Sequence, residues 1–207
     1  MLEEKNTPLY TVGYSSFSSA EELTEYLRGQ GIQVVIDVRS TPYSSHFPQF
    51  DKENLAQTLK GVGMYYRNYA ESFGARQENR AYYRDGRLDF EYYTGTGRFE
   101  EGLIKVENSI AQGYRVALMC AEKDPITCHR AIMIARVFHE AHYPVLHLRP
   151  DCPPETHAAL EKRLIEQYFP AEEQFSLFAQ PMSDEEKRRE SYRRQNDKIG
   201  FREEQLR

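Results

Sequence analysis

The chain has 207 residues, of which 40% are hydrophobic and 13% aromatic, enough for one substantial globular core. A net charge of −5 argues against coating duplex nucleic acid by bulk electrostatics, and no span approaches the roughly 18 apolar residues that mark a membrane helix. Cys120, Cys128 and Cys152 form no framework of pairs, and Met1–Pro8 lack a basic region followed by an apolar run, so the expectation is a cytoplasmic protein with reduced thiols and no disulfide-stapled secreted fold.

Leu9-Tyr10-Thr11-Val12-Gly13 is a short β-prone run ending in Gly. Ser18 and Ser19, with Glu three residues later, open a helix whose apolar stripe is Leu23, Tyr26 and Leu27 and which ends at Gly29 to Gly31. Val34-Val35-Ile36-Asp37-Val38-Arg39 is the clearest strand, apolar on both faces up to Asp37 and broken by Pro42. Asp51 caps a second helix carrying Leu55, Leu59 and Val62, and Met64-Tyr65-Tyr66 is a third strand. From 68 to 97 no periodicity is sustained, and the region reads as an irregular insertion rich in tyrosine and arginine.

Phe99, Leu103, Val106 and Ile110 restore helical spacing, and a buried strand follows from Gly113 to Met119. An apolar helix runs from Ala131 to about Ala141, Pro144 to Leu148 form a last strand, and Pro153-Pro154 open a helix with Leu160, Leu164 and Tyr168 on one face. The alternation predicts an α/β fold, a three-layer sandwich with a mainly parallel central sheet and helices on both faces, over residues 9–170. Residues 171–207 form a charged extension with a helical tail from Ser183. There the signs nearly cancel and Tyr192, Gln195 and Ile199 share one face, so the helix is expected to pack lightly on the body. Phe175, Leu177, Phe178 and Ile199 would be core if that expectation fails.

The densest chemistry lies between the strand ending at Met119 and the helix starting near Ala131, in Cys120-Ala121-Glu122-Lys123-Asp124-Pro125-Ile126-Thr127-Cys128-His129-Arg130. The carboxyl end of a strand is where open α/β sheets bind ligands. With Thr127 as N-cap, Cys128 enters the first helical turn, where the helix N-terminus, His129 and Arg130 favour the thiolate. Cys128 therefore reads as a nucleophile or, equally, as a small buried residue. Cys120 reads as packing unless Cys128 approaches it as a resolving partner. Zinc bound by Cys120, Glu122, Cys128 and His129 is disfavoured, because seven residues separate the thiols, and no metal and no cofactor is assigned.

Asp37 and Arg39 emerge at the end of the central strand, Arg39 suited to holding a phosphate or carboxylate and Asp37 to orienting it or acting as a base; a structural Asp–Arg network is the rival reading. Tyr14 and Ser15 offer a weak anion-binding turn. Seven tyrosines between Met64 and Arg98, interleaved with arginines, suit stacked bases, but Glu71, Glu78, Asp85, Asp89 and Glu91 dilute that signal.

With these residues in view, the chain resembles the bacterial family catalogued as domain of unknown function 488. The resemblance rests on Thr11-Val12-Gly13-Tyr14-Ser15, on Asp37-Val38-Arg39-Ser40-Thr41-Pro42-Tyr43-Ser44, and above all on Met119-Cys120-Ala121-Glu122-Lys123-Asp124-Pro125 with Cys128-His129-Arg130. It implies an α/β sandwich with a site near these motifs and no assigned reaction. Tyr14, where many relatives carry His, and Ser72-Phe73-Gly74-Ala75, where Leu-Gly-Gly is usual, depart from the pattern. The Asp37 strand end and the Cys120 loop also look in part like a rhodanese sulfurtransferase, but Ile126 stands where a rhodanese-type loop would carry Arg.

Two functions follow. One is a thiol-dependent enzyme acting on an anionic, nucleotide or nucleic-acid-like substrate, with Cys128, His129 and Asp37 catalytic and Arg39, Arg130, Glu122, Tyr14 and Ser15 binding. The other is a non-catalytic nucleotide or nucleic-acid binding module with structural cysteines. No membrane partner is expected, and the oligomeric state is left open.

Overall fold

The computed structural model describes residues 7–170 and 182–206. Its centre is a six-stranded sheet in the order β3-β2-β6-β1-β7-β8. The first five of these strands run parallel: β1 Leu9–Gly13, β2 Val34–Asp37, β3 Tyr65–Asn68, β6 Val116–Cys120 and β7 Val145–Arg149. Strands β1, β2 and β6 are buried along their whole length, which is why they read as continuous apolar runs rather than alternating ones.

Helices α1 Ala20–Gly29 and α2 Lys52–Gly61 cover one face, where Leu23, Leu27, Leu55 and Leu59 pack on Val12, Val35 and Met119. The other face is covered by α5 Gly97–Ala111, by the helix of residues 130–140 and by α7 His157–Tyr168. Chain direction explains the split. From β1 the chain winds outward through α1, β2, α2 and β3, then returns across the sheet to β6 and continues past β1 to β7, and right-handed crossovers in opposite directions must lie on opposite faces. The reversal falls between β1 and β6, so the crevice expected at a switch point opens beyond Gly13 and Cys120.

Two expectations are corrected, for the prolines and for the tail helix, and the aperiodic region resolves into short elements. Pro153 and Pro154 do not open a helix: they lie in β8, Cys152–Thr156, an antiparallel edge strand that tolerates their missing N–H groups, and Thr156 caps α7 with its side chain on the Ala159 N–H. The 68–97 region contains ordered short elements: α3 Ala70–Phe73, the hairpin of β4 Tyr83–Arg84 with β5 Arg87–Leu88, and α4 Phe90–Thr94. The charged helix of the C-terminal tail, α8 Asp184–Ile199, does more than pack lightly. Ser191, Tyr192 and Gln195 are buried, and Tyr192 Oη lies 3.0 Å from His157 Nε2. Phe175, Leu177 and Phe178 lie outside the described residues.

Candidate active site

Three strand ends meet at the carboxyl edge of the sheet. Gly13 ends β1 beside Cys120 of β6, and Asp37 of β2 pairs with Met119 on the other side. The Ser15 N–H donates to the Ala121 carbonyl (3.1 Å) and Val38 to the Met119 carbonyl (3.0 Å), so the turns after β1 and β2 are stitched to the loop that follows Cys120. A Cβ built on Gly13 would lie 1.9 Å from the Glu122 carbonyl oxygen. Only glycine lets the loop come this close.

The loop from Cys120 to Arg130 is fixed at three points. Asp124 caps the short turn Pro125–Thr127 by accepting from the Ile126 N–H, and its carboxylate is gripped by both terminal nitrogens of Arg163 at 2.8 Å. Gln195 of α8 donates to the Ile126 carbonyl (2.7 Å) while Tyr168 donates to Gln195 (2.7 Å), so the tail helix buttresses the turn that delivers Cys128. The Arg130 guanidinium, fully buried, donates to the Glu122 carbonyl (2.7 Å) and more weakly to that of Lys123 (3.4 Å).

The helix starts one residue later than expected. Thr127 is not its cap: the Thr127 hydroxyl bonds back to the Asp124 carbonyl (2.9 Å). Cys128 has extended backbone (φ −130°, ψ 137°), its carbonyl accepts from Ala131 and Ile132, and its sulfur accepts from the Arg130 N–H at 3.5 Å. The cysteine occupies the capping position itself, with sulfur where a serine or aspartate oxygen would sit. Residues Arg130–Ala135 are wound as a π-helix before α6, Arg136–Glu140, resumes ordinary pitch. Such windings are uncommon and concentrate at functional sites.

Around that sulfur the polar groups converge. The sulfurs of Cys120 and Cys128 and a ring nitrogen of His129 all lie within 4.8 Å of one another, with Cys120 Sγ 3.9 Å from His129 Nδ1. His129 Nε2 donates to the Val38 carbonyl (3.0 Å), which aims Nδ1 at the sulfurs and fixes the ring. Burial opposes ionisation of Cys128, but the Cys120 thiol donating to it, the Arg130 charge and the His129 ring together hold it well below the ordinary thiol value. The same hydrogen bond, with burial and the adjacent negative sulfur, keeps Cys120 protonated and pushed up. Burial works against the charge on His129 as well, yet the Cys128 thiolate, Glu122 and the Val38 carbonyl raise it.

Glu122 is the member that reaches solvent. The residue as a whole is exposed, but its carboxyl lies back on Cys128, and burial, the thiolate charge and the hydrogen bond to Cys128 raise it. Arg130 has no carboxylate within ion-pair distance among the described residues, and its charge is one of the groups that favour the Cys128 thiolate. Cys120, Cys128 and His129 are also the group, among the described residues, whose donor atoms converge closely enough to hold a metal ion.

Asp37 and Arg39 lie next door and are largely occupied with each other. Asp37 Oδ1 accepts from Arg39 N and Nε (3.0 and 2.9 Å), and Oδ2 accepts from Arg39 Nη2 and from the Tyr66 hydroxyl, both at 2.6 Å. Arg39 also donates to the Phe50 carbonyl and covers the Tyr14 ring, itself stacked on Phe50. Asp37 thus orients Arg39 and makes no contact with either cysteine. Tyr14 is buried and Ser15 is exposed.

Several tyrosines and arginines in and beside the 68–97 region are engaged within the fold. Tyr93 is buried with its hydroxyl on the Ser72 carbonyl, Arg84 pairs with Asp89, Arg98 with Glu71, and Arg76 covers Phe201. A cleft of about 760 Å³ lies elsewhere, between α4 and α8, with arginines and acidic residues mixed along its walls.

Among known proteins, the family described as domain of unknown function DUF488 matches residues 19–137. The chain belongs to the DUF488 family. The matched span contains β2, Asp37, Arg39 and the whole Cys120–Arg130 loop, while β1, α7 and α8 lie outside it. No curated protein and no solved structure matches significantly, and the partial rhodanese likeness gains no support. Asn68 of this DUF488 chain, an isolated polar residue without a motif, carries no sequence signal for the site, and neither does Gln195, which lies some seventy positions from the loop it supports.

Proposed function

We propose that the protein is a thiol-dependent enzyme acting on an anionic substrate at the carboxyl edge of its sheet, with Cys128 as nucleophile. One observation carries the substrate class. Among the described residues, the buried side-chain nitrogens and oxygens left without a hydrogen-bond partner are Ser16 Oγ, Arg39 Nη1, Asn68 Nδ2 and Arg130 Nε, and all four follow or end the strands that converge on this edge. Three are donors only and the fourth can donate, so what they lack is an acceptor. A phosphate or carboxylate supplies acceptor oxygens and opposite charge together.

The roles follow from position. The Cys128 sulfur attacks, with the helix N-terminus and Arg130 favouring its charged form. His129, held by the Val38 carbonyl, returns a proton to the leaving group, and Glu122 exchanges protons between the cluster and solvent. Asp37 is a positioning residue for Arg39. The alternative, a binding module built on the tyrosine and arginine region, has less support because Arg80, Arg84 and Arg98 are paired with Glu203, Asp89 and Glu71.

The test is protection from alkylation. Iodoacetamide at neutral pH should label Cys128 before Cys120 and Cys152, and inorganic phosphate or a nucleoside monophosphate should slow it. Labelling of Cys128 only after unfolding, or rates indifferent to every anion, would overturn the reading.

A further inference from the structure

Cys120 is unexplained by a nucleophile acting alone. It sits at the end of a fully buried strand, 3% exposed, with its sulfur 3.9 Å from His129 Nδ1 and within 4.8 Å of the Cys128 sulfur, an arrangement more specific than packing requires. We propose that Cys120 is the resolving thiol of a two-electron redox pair with Cys128 and that the pair's oxidant is a small hydroperoxide. The proposal rests on the reading of Cys128 as the nucleophile of this site.

Three observations carry it. The sulfurs lie within 4.8 Å of each other, so forming an S–S bond of about 2.05 Å requires them to close by under about 3 Å. Cys128 is 1% exposed, so a folded disulfide-bearing protein cannot reach it, whereas hydrogen peroxide is scarcely larger than water. Proton carriers are in place at both steps, with His129 against the sulfurs and the carboxyl of Glu122, a residue that is itself exposed, lying back on Cys128. Cys152 takes no part: it lies on β8 and accepts from Arg149 Nε at 3.1 Å.

The chemistry balances. The Cys128 thiolate attacks one peroxide oxygen, the O–O bond breaks, and the departing hydroxide takes a proton from His129 or Glu122 to leave as water, giving a sulfenic acid on Cys128. Cys120 then attacks the Cys128 sulfur. The S–S bond forms, the S–O bond breaks, and the Cys120 proton passes through the same carriers to the second hydroxide, which leaves as water. Peroxide is reduced to two waters and two thiols are oxidised to one disulfide; a small-molecule thiol reverses the change by exchange.

The experiment uses the full-length reduced protein with one equivalent of hydrogen peroxide, free-thiol counting and peptide mass spectrometry. The expected result is loss of two thiols per peroxide, a Cys120–Cys128 disulfide with Cys152 free, and a rate about tenfold or more above free cysteine at neutral pH. Cys120→Ser should stop at a sulfenic acid trapped by dimedone, Cys128→Ser should lose the fast reaction, and Cys152→Ser should match wild type. Three outcomes would overturn the proposal: oxidation of Cys128 with Cys120 left free, a rate no faster than free cysteine, or reactivity that appears only after a chelator strips a cation from the site. If peroxide fails while anions still protect Cys128 from alkylation, the pair is wrong and the proposed function stands; if both fail, both are wrong.

Discussion

Replacing Asp37 by Ala tests whether the Asp37–Arg39 pair holds this edge of the sheet together. Asp37 is fully buried, and the Arg39 side chain is 6% exposed. The carboxylate accepts from three groups of Arg39 and from Tyr66. Without it the guanidinium keeps only the Phe50 carbonyl, and the Tyr66 hydroxyl loses its acceptor. Leaving a buried charge uncompensated costs about 3–5 kcal/mol. For a domain of this size each kcal/mol moves the melting temperature by about 2–4 °C, so Asp37→Ala should melt about 6–20 °C lower. Asp37→Ala/Arg39→Met removes both charges and should recover most of that loss. Thermal and urea unfolding followed by circular dichroism measures both. A single variant that loses less than about 1 kcal/mol, or a double variant worse than the single, would refute the reasoning.

Three further outcomes follow from the packing. Gly13→Ala places a methyl against the Glu122 backbone, so the loop must shift at a cost of about 1–3 kcal/mol and the Cys128 titration must move with it; wild-type values in both would show that the contact is unimportant. Removal of residues 183–207 exposes the surface that buries Tyr192, and should cost about 3 kcal/mol or more, where a lightly docked helix would lose under about 1 kcal/mol in urea unfolding. His157 is held down to about 3 by burial and by the nearby His139 and Arg136, whereas the unfolded chain protonates near pH 6.5. Between these values the unfolded state binds the extra proton, so stability falls as pH drops through that window. His157→Gln should flatten this acid limb of the urea midpoints, and an unchanged limb would contradict it.

The parallel sheet was legible because buried central strands are apolar on both faces, and β1, β2 and β6 announce themselves that way. The edge strand β8 was not, because its prolines imitate a helix start as readily as they fit an unpaired edge. Cys128, His129 and Glu122 were legible from local chemistry, but the cap position of Cys128 depends on one residue's backbone angles, which Thr127 masks by being an equally good cap in sequence. Cys120 read as packing because a strand-end thiol gains meaning only when another sulfur is brought beside it. The docking of α8 was hidden by its charge: ion pairs such as Arg188–Glu185 and Arg193–Glu190 neutralise its surface, while Tyr192 and Gln195 face inward.

The account turns on the charge state of Cys128, and the far-ultraviolet thiolate absorbance of the folded, reduced protein measures it without any reagent having to enter the site. Titrated from acid upward, wild type should show one thiolate appearing well below the ordinary value of about 8.5, absent in Cys128→Ser and retained in Cys152→Ser, with Cys120 ionising well above it. A Cys128 thiol that stays protonated up to or beyond about 8.5 in the folded protein would contradict the account.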